Sequence, residues 1–400
     1  MLTPEQALRE IMRHSRPLPP ARLALDQCWN RILAAPVRAP HPYPRFDNAA
    51  LDGYAVRARD CASASEKAPV TLALQGSQYA GRIWRGRLKA GQALHLTTGA
   101  PMPRGTDALV PYEAVRVQGR RILVDSPLVP GQNLRFRGED GAQGSLLALR
   151  GERLHARRLA MLASFGVDRV RVLAQPRVAL AASGDEVLAP GEKPAPGKIF
   201  DGNGPALRGL LLEAGLGLPT LLRLPDNARI QARKLAGLLE SCDVLLVAGG
   251  MSVGKRDFSK AVLEGLGVRR IFWKVAQKPG KPLYFGVRGK QLIFGLPGNP
   301  AALVACFTAY VAPSLRALEG QAPLKPLGAI LTHSLPAGTD KALLLKARVL
   351  GSGTRARVTV LRGQGSHLMR SLAEGNALVL RKAGAAPLKK GARVPYLPLE

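Results

Sequence analysis

The chain has 400 residues, 46% of them hydrophobic, and its 58 basic and 28 acidic residues give a formal net charge of +30. This length exceeds what one hydrophobic core usually supports, so the composition predicts several globular domains and excludes a disordered or collagen-like chain. No segment approaches the roughly 18 consecutive apolar residues of a membrane span, and the dispersed cysteines exclude a disulfide framework, so we expect a cytoplasmic protein without a membrane partner.

The first 140 residues change from a helical to a β pattern. Residues 3–33 show the spacing of a pair of helices, and Thr3, Pro4 and Gln6 form the sequence of a helix cap. Residues 45–140 consist of short alternating apolar segments separated by Gly, Pro and Asp, which predicts a β-rich module. This module ends in the loop-rich tract GQNLRFRGEDGAQG.

Between residues 176 and 320, short apolar strands alternate with helical segments. The strands are RVALAAS, PTLLRLP, DVLLVAGG and QLIFGLPG, and the helices cover 203–216, 227–240, 257–267 and 299–318. Such alternation predicts a parallel sheet with crossover helices, whose ligands bind beyond the carboxyl ends of the strands. After Pro323 the β pattern returns.

These patterns predict a multi-domain α/β and β protein. We expect a helical or linker domain (1–45 and 141–175), a β-rich domain (46–140), a central α/β domain (176–322) and a C-terminal β domain (323–400).

Two strands of the predicted parallel sheet end in glycine-rich turns. In DVLLVAGGMSVGKRDF, such a turn directs backbone N–H groups toward a phosphate. Gly249 to Lys255 also matches the start of a P-loop, but Arg256 stands where a P-loop has the Ser or Thr that binds magnesium. A nucleotide triphosphatase loop is therefore disfavoured, and a tight turn without a ligand stays open as an alternative.

The second glycine-rich turn lies in IFGLPGNPAALVACF. It places Asn299 at the cap and Pro300 at the first position of an apolar helix. Two glycine-rich turns that each follow a strand of one parallel sheet predict neighbouring loops over a shared crevice.

The basic residues raise the question of an anionic partner. KVAQKPGKPLYFG places Lys274, Lys278 and Lys281 around a Pro-Gly turn, where ammonium groups repel unless an anion lies among them. On spacing alone, a solvated basic loop is slightly favoured. The net charge also suggests nucleic acid, but the basic residues form no long run, zinc-finger spacing or aromatic RNA-binding signature, so we do not expect nucleic acid as the main partner.

Acidic residues are scarce, so those in loops are informative. They are Asp52, Asp140, Glu186, Asp226 and Asp257. The last three flank ends of the predicted parallel strands, where their oxygens could bind a hard cation such as Mg²⁺. Loop acids are usually only solvated, but acids, lysines and phosphate-binding turns together predict phosphate chemistry.

Eight short strings occur between about residue 46 and about residue 380, in the order FDNAALDGYAVR, TTGAPMPRGTDALVPYE, QNLRFRGED, ASGDEV, GGMSVGKRDF, FWKVAQKPGKP, GLPGNPAALV and GQGSHLMRSLAEGNAL. In this order they resemble the motifs of the MoeA and gephyrin E-domain family.

The resemblance implies a fold and a reaction. Family members are homodimers of four-domain subunits, with the active site between subunits and one domain similar to the pterin-adenylylating MogA fold, which residues 176–322 should form. They bind adenylylated molybdopterin and molybdate, cleave the pyrophosphate link in a Mg²⁺-dependent step, and release AMP and molybdenum cofactor. The resemblance further implies handover of substrate from a MogA-like adenylyltransferase and of product to molybdoenzymes.

The resemblance also implies roles for individual residues. The expected catalytic residues are Asp52, Glu186, Lys274 and Lys278. The expected substrate-binding residues are Thr98, Arg137, Asp140, Gly250, Ser252, Pro297 and Pro300. The expected metal ligands are Glu186, Asp226 and Asp257. Whether Asp52 is a general base or organises a metal or oxyanion stays open.

The chain departs from the family pattern at a few positions. Ala248 and Ala302 stand where hydroxyl residues are common, and Lys346 replaces a common Arg, which keeps the charge but loses bidentate anion recognition. Three alternatives to this function remain: a tungstate-preferring paralogue, a catalytically silent scaffold of the same fold and a MogA-like pterin adenylyltransferase. The predicted flanking domains disfavour the adenylyltransferase.

Overall fold

The structure is a computed structural model that describes residues 1–251 and 258–399. The chain forms two compact units. We call Arg22–Val172 the inserted unit, and Met1–Ala21 together with Leu173–Glu400 the main unit.

The first helix, α1 (Pro4–His14), begins with the predicted cap. The Thr3 hydroxyl accepts the Gln6 N–H at 3.2 Å, and the Gln6 side chain accepts the Thr3 N–H at 2.9 Å, which confirms the reciprocal bonding. The predicted second helix is wrong, because β1 (Ala21–Ala24) and a short 3-10 turn follow instead. Prolines at 17, 19 and 20 separate them from α1, and proline lacks the N–H that a continuing helix needs.

The inserted unit consists mainly of short strands. After β1, its elements are β2 (Val37–Arg38), β3 (Asn48–Ala49), β4 (Gly53–Val56), β5 (Val70–Gln78), β6 (Gln92–Leu96), β7 (Ala108–Pro111), β8 (Val115–Gln118), β9 (Arg121–Val124), β10 (Leu134–Arg135), β11 (Leu146–Ala148), α2 (Ala156–Ser164) and β12 (Arg169–Val172).

The largest sheet of the inserted unit has the strand order β7-β4-β6-β5-β9-β8. Its pairs are antiparallel except for β5 with β6. Buried apolar side chains cover both faces, with Val56 and Ile122 in one cluster and Leu94 and Leu109 in the other. Smaller pairs join β1 with β12, β2 with β11 and β3 with β10. The predicted β-rich pattern is confirmed.

The rest of the main unit alternates strands and helices before returning to strands. Its elements are β13 (Val178–Ser183), β14 (Val187–Leu188), β15 (Ile199–Phe200), α3 (Asn203–Glu213), β16 (Leu221–Leu224), α4 (Ala228–Leu239), β17 (Val244–Ala248), α5 (Ser259–Gly265), β18 (Arg269–Trp273), β19 (Gln277–Lys278), β20 (Tyr284–Arg288), β21 (Gln291–Leu296), α6 (Pro300–Cys306), α7 (Ala312–Leu318), β22 (Leu327–Leu331), β23 (Ala342–Leu350), β24 (Arg357–Val360), α8 (Met369–Glu374), β25 (Ala377–Arg381) and β26 (Arg393–Pro398).

The α/β sheet has the strand order β16-β13-β17-β21-β20-β18. The first four strands are parallel, and β20 and β18 continue the sheet in antiparallel pairing. Every residue of β17 is buried, as expected for a strand covered by helices on both faces. The predicted parallel sheet is confirmed, and the antiparallel edge is an addition.

Helices cover both faces of this sheet. Leu246 and Phe294 face the core that includes Leu207 of α3 and Leu303 of α6, whereas the core on the other face includes Leu235 of α4 and Leu263 of α5. The helical stretch from Pro300 to Leu318 contains a π-helical turn at Phe307–Val311 between α6 and α7. It is long and apolar enough to cross a bilayer, but 72% of its most apolar window is buried inside the protein, so it is a core helix.

The C-terminal strands close into a small barrel. Their order is β23-β24-β22-β26-β25, and β25 also pairs with β23. The short strand β19 adds to β23 in parallel register. The predicted multi-domain α/β and β fold class is therefore confirmed.

Candidate functional site

A cavity of about 560 Å³ lies at the carboxyl ends of the parallel strands of the main unit, where open α/β sheets bind ligands. Turns after β13, β16, β17 and β21 line it, together with the start of α3 and a loop from the C-terminal barrel. Five predicted site residues come together here: Glu186, Gly250, Asp226, Pro297 and Pro300.

The charges lining this cavity are mainly negative. Glu186, Asp201 and Asp226 lie in its wall, and no lysine or arginine accompanies them among the described lining residues. Asp226 is held by its neighbours, because its N–H donates to Asp185 at 3.0 Å and the Ser183 hydroxyl lies 3.4 Å from its carboxylate. A phosphate here would be repelled unless a cation lay between it and the acids.

The donor set suits a magnesium ion. Mg²⁺ binds oxygen ligands, and in phosphate-processing enzymes it usually uses one or two carboxylates together with substrate phosphates. Glu186 and Asp226 supply such carboxylates within one cavity. The third predicted ligand, Asp257, lies outside the described residues, which by themselves contain no group of three metal-binding side chains.

The turn after β17 requires glycine for two reasons. Gly249 and Gly250 have φ of +82° and +67°, in the left-handed region that other residues avoid. A Cβ atom on Gly249 would lie 2.7 Å from the Ser183 carbonyl, and one on Gly250 would lie 2.4 Å from the Ser259 hydroxyl. The chain therefore passes close to β13 here. The predicted residue Ser252, like Lys255 and Arg256, lies outside the described residues.

The turn after β21 leads directly into α6. Pro297 is buried, Asn299 is the N-cap residue and Pro300 is the first helical residue, so the predicted helix start is confirmed. The Asn299 side chain does not bond to the helix, however. Its amide donates to the Ser366 hydroxyl at 3.0 Å and thereby ties this turn to the barrel loop.

The loop of the C-terminal barrel contributes His367 and Met369 to the cavity wall. Neither residue was predicted as a site residue, although both lie in the predicted motif GQGSHLMRS. Lys346 stabilises this loop, because its ammonium group donates to the carbonyls of Gly365 and Leu368, each at 3.0 Å. The Lys346 residue is only 4% exposed. Burial lowers the pKa of Lys346.

Sequence reasoning also missed Asp201 and Asn203. Asp201 is 6% exposed and accepts the N–H groups of Asn203 and Gly204, both at 2.9 Å. The Asn203 amide donates to the Gly298 carbonyl at 2.8 Å, whereas its side-chain oxygen is buried without a hydrogen-bond partner among the described residues. An unmet buried acceptor is costly in free energy, and Asn203 itself lines the cavity. The string DGN before a helix is the signal that could have identified it.

Lys274 and Lys278 do not line the described cavity. Lys274 has a φ of +75°, and its ammonium group lies 3.9 Å from the centre of the Trp273 ring. Lys278 and Lys281 are exposed. The Trp273 indole donates to the Met251 carbonyl at 3.0 Å, which connects this hairpin to the turn after β17.

A second group of predicted residues lies in the inserted unit. Both the N–H and the hydroxyl of Thr98 donate to one carboxylate oxygen of Asp52, at 2.6 and 2.8 Å. These bonds, the backbone bond first, hold the pKa of the Asp52 carboxyl below its ordinary value, so the carboxylate form persists. The neighbouring Gly53 allows β4 to approach β7, because a Cβ atom there would lie 2.2 Å from the Val110 carbonyl.

An aromatic group lies beside Asp52. The rings of Tyr54 and Tyr112 are nearly parallel with centres 6.1 Å apart, and His95 meets Tyr54 edge-on at 5.3 Å. Tyr112 is 54% exposed, and its N–H donates to the Asp52 carbonyl at 3.1 Å. The strings VPYE and DGY carry both tyrosines, but sequence reasoning assigned them no role.

The remaining predicted residues, Arg137 and Asp140, are exposed in the tract between β10 and β11. The Arg137 N–H donates to the Asp47 carboxylate at 2.7 Å. The Arg135 side chain donates to the Ala50 carbonyl at 3.1 Å. This tract therefore runs beside the segment that precedes Asp52.

Comparisons with known proteins agree along the whole chain. Family models match for the MoeA N-terminal region (domain I and II) at residues 2–166, a probable molybdopterin binding domain at 179–317 and the MoeA C-terminal region (domain IV) at 329–399.

Similar proteins and a similar structure span nearly the same length. The chain is 32% identical over 405 residues to the molybdopterin molybdenumtransferase of Haemophilus influenzae, covering 100% of this chain and 98% of that protein. It is 31% identical over 399 residues to that of Bacillus subtilis, covering 98% and 93%. The crystal structure of a MoeA molybdopterin biosynthesis protein from Pyrococcus horikoshii superimposes with a TM-score of 0.76 at 30% identity, covering 100% and 99%. The chain therefore belongs to the MoeA family of molybdopterin molybdenumtransferases, which act in molybdenum cofactor biosynthesis.

Proposed function

We propose that this transferase uses adenylylated molybdopterin and molybdate, cleaves the adenylyl link in a Mg²⁺-dependent step, and releases AMP and molybdenum cofactor. The observation that supports this proposal is the acid-lined cavity at the strand ends, in which Glu186 and Asp226 lie beside two glycine- and proline-rich turns. Acids alone would repel a phosphorylated substrate, so the cavity suits a substrate that arrives with a divalent cation.

The main unit would bind the phosphate groups. Glu186 and Asp226, with Asp257, would hold Mg²⁺, which when bound neutralises charge on the phosphate oxygens. Gly250 in one turn and Pro297 and Pro300 in the other would shape the pocket around them. Ser252 would bind the substrate. Asn203, which lines the cavity, would contact the substrate.

Asp52 would organise the attacking oxygen. The hydrogen bonds from Thr98 keep this carboxylate ionised and lower its pKa, which makes it a poor general base near neutral pH. We therefore favour an organising role, in which Asp52 orients a water molecule or a protonated molybdate oxygen. Arg137 and Asp140, on the adjacent tract, would contact the substrate, and Lys274 with Lys278 would bind a phosphate or oxyanion.

We further propose that the four predicted domains, 1–45 with 141–175, 46–140, 176–322 and 323–400, act in a cytoplasmic homodimer. It would receive substrate from a MogA-like adenylyltransferase and deliver product to molybdoenzymes. Size-exclusion chromatography with light scattering should give twice the chain mass of 42.6 kDa. A monomer at working concentration would refute the homodimer.

Reconstitution tests the reaction. Purified protein is mixed with adenylylated molybdopterin, Mg²⁺ and either molybdate or tungstate, and AMP release is measured together with cofactor formation. We expect both products with molybdate and no AMP when Mg²⁺ is chelated. Cofactor formed with tungstate in preference to molybdate would indicate a tungstate enzyme, and no AMP with either oxyanion would indicate a silent scaffold.

Substitutions of Glu186 and Asp52, with a control at another exposed acid, test whether these two residues take part in the reaction. Glu186→Gln and Asp52→Ala should each abolish most AMP release and leave folding nearly unchanged, because both side chains are exposed. Glu66→Gln, at another exposed acid, is the control and should retain activity. Full activity of well-folded Glu186→Gln or Asp52→Ala would remove that residue from the mechanism.

A further inference from the structure

The inserted unit contains another cavity, of about 400 Å³, that the proposed function does not use. It is lined by four arginines: Arg22, Arg38, Arg169 and Arg171. Asp168 is the one acid among its described lining residues, so the charges of the lining sum to 4 − 1 = +3. We call this cavity the arginine groove.

Strands β1 and β12 place three of these arginines, Arg22, Arg169 and Arg171, on the solvent side. On β12, Val170 and Val172 are 3% and 0% exposed, so the alternation of a strand places Arg169 and Arg171 on the solvent side. Arg22 lies on β1, the hydrogen-bonded neighbour of β12, and is exposed. The groove is therefore built on paired strands with a buried apolar face beneath them.

Most of the positive charge of the groove is not compensated by acidic residues of the described lining. None of its four arginines forms an ion pair within the part of the chain that the structure describes. Arg38 donates only to a carbonyl, that of Gly144, at 2.9 Å. Like charges around one cavity repel each other, and a bound anion removes that repulsion.

We propose that the arginine groove binds a small anion carrying two or more phosphate groups. Guanidinium groups donate paired hydrogen bonds that match phosphate oxygens, and a lining charge of +3 complements a polyphosphate rather than a monoanion. The volume lies within the range of small-molecule sites, roughly 300 to 1,000 Å³.

The lining also distinguishes a small anion from a nucleic acid strand. Proteins that bind single strands stack the bases on aromatic side chains. The described lining of the groove contains no aromatic residue; besides the charged residues it has only small or aliphatic ones, such as Ala35, Pro36 and Val37. It therefore offers guanidinium groups to phosphates but no aromatic surface on which bases could stack.

Site-specific chemical labelling tests the proposal. The full-length protein is treated with phenylglyoxal, which modifies accessible arginines, with and without inorganic tripolyphosphate, and each arginine is quantified by peptide mass spectrometry. We expect tripolyphosphate to protect all four groove arginines and to leave Arg116 and Arg121, exposed on β8 and β9, unprotected. Sodium chloride at equal ionic strength should protect neither set.

Two double variants remove the same charge in different places. Arg169→Gln with Arg171→Gln should raise the tripolyphosphate concentration that half-protects Arg22 and Arg38 by about ten-fold, because charge-assisted hydrogen bonds are lost. Arg116→Gln with Arg121→Gln should leave it unchanged.

Three outcomes would overturn the proposal. They are an equal effect of both double variants, equal protection of all exposed arginines, and stronger protection of the groove by a DNA oligonucleotide than by tripolyphosphate at equal phosphate concentration. Because the readout is arginine protection and not AMP release, the result does not depend on the proposed reaction.

Discussion

Individual residues of the candidate site are held by bonds that set their charge and position. Thr98 bonds twice to one oxygen of Asp52. Asn203 lines the cavity of the main unit, and its buried side-chain oxygen has no hydrogen-bond partner among the described residues. Lys274 adopts a left-handed backbone conformation, which is uncommon for a residue with a side chain and is frequent at functional sites.

Thr98→Val should raise the pKa of Asp52, because the valine keeps the shape of threonine but lacks the hydroxyl donor. The backbone bond from residue 98 remains, so part of the lowering persists. Since a lowered pKa preserves the carboxylate at acidic pH, the acid limb of the activity profile should move to higher pH in this variant. Titration of the carboxyl carbon by NMR measures the pKa.

The control for this prediction is Thr106→Val, whose hydroxyl bonds to the Pro103 carbonyl and to no carboxylate. It should leave the titration of Asp52 unchanged. An unchanged titration in Thr98→Val as well would show that the hydroxyl bond does not act on Asp52.

Replacing both Lys274 and Lys278 with Gln should weaken substrate binding by about ten-fold at low salt, because two charge-assisted contacts are lost. The remaining affinity should depend less on salt, since screening acts on charges that are no longer present. Binding is measured by calorimetry at low and high salt. The matched control is Lys67→Gln with Lys89→Gln, two exposed lysines of the inserted unit. Equal affinity of the wild type and the Lys274/Lys278 variant at both salt concentrations would assign these lysines to a solvated loop.

The helices and strands follow local rules that the sequence displays. The capping box at α1, the proline at the start of α6 and the apolar strands of the α/β sheet were all predicted from short strings. The second helix predicted within residues 3–33 was wrong, because three prolines interrupt the segment and the following residues pair as β1 with β12. At Asn299 the predicted cap position is confirmed, while its side chain bonds to Ser366 instead of the helix.

Thr3→Ala should lower the stability of the main unit by about 1 kcal/mol, because the N-cap hydroxyl bond is lost. The loss of stability should affect the unfolding of the whole main unit, because Ala7 and Ile11 of α1 are fully buried in the core of the α/β sheet. Thermal unfolding detects the change. Thr354→Ala, at an exposed threonine, is the control and should have little effect. An equal loss in both variants would contradict a specific role of the cap.

The whole chain carries a net charge of +30, and its basic residues are spread along the sequence. Three acidic residues, in contrast, line the cavity of the main unit, and four arginines line the groove of the inserted unit. The net charge therefore describes general attraction to anions, while specific recognition depends on these local arrangements.

Binding to DNA or RNA should be weak and independent of sequence, with a dissociation constant of roughly 10⁻⁴ to 10⁻⁶ M near physiological salt. Neither the described cavities nor the motifs contain a base-reading element. Titration of several duplexes and single strands over a range of salt concentrations measures the affinity and its salt slope. Sub-micromolar binding with a preference among sequences would require a second function for this enzyme.

The family, the alternation of strands and helices and the glycine turns at two strand ends could be predicted from the sequence, because each depends on residues close together in the chain. That Asn203, His367 and the loop held by Lys346 form one cavity wall with Glu186 follows from the folded structure alone. Folding likewise brought Arg22 beside Arg169, and it closed the C-terminal strands into a barrel. These arrangements depend on pairing between distant segments, which local periodicity does not encode.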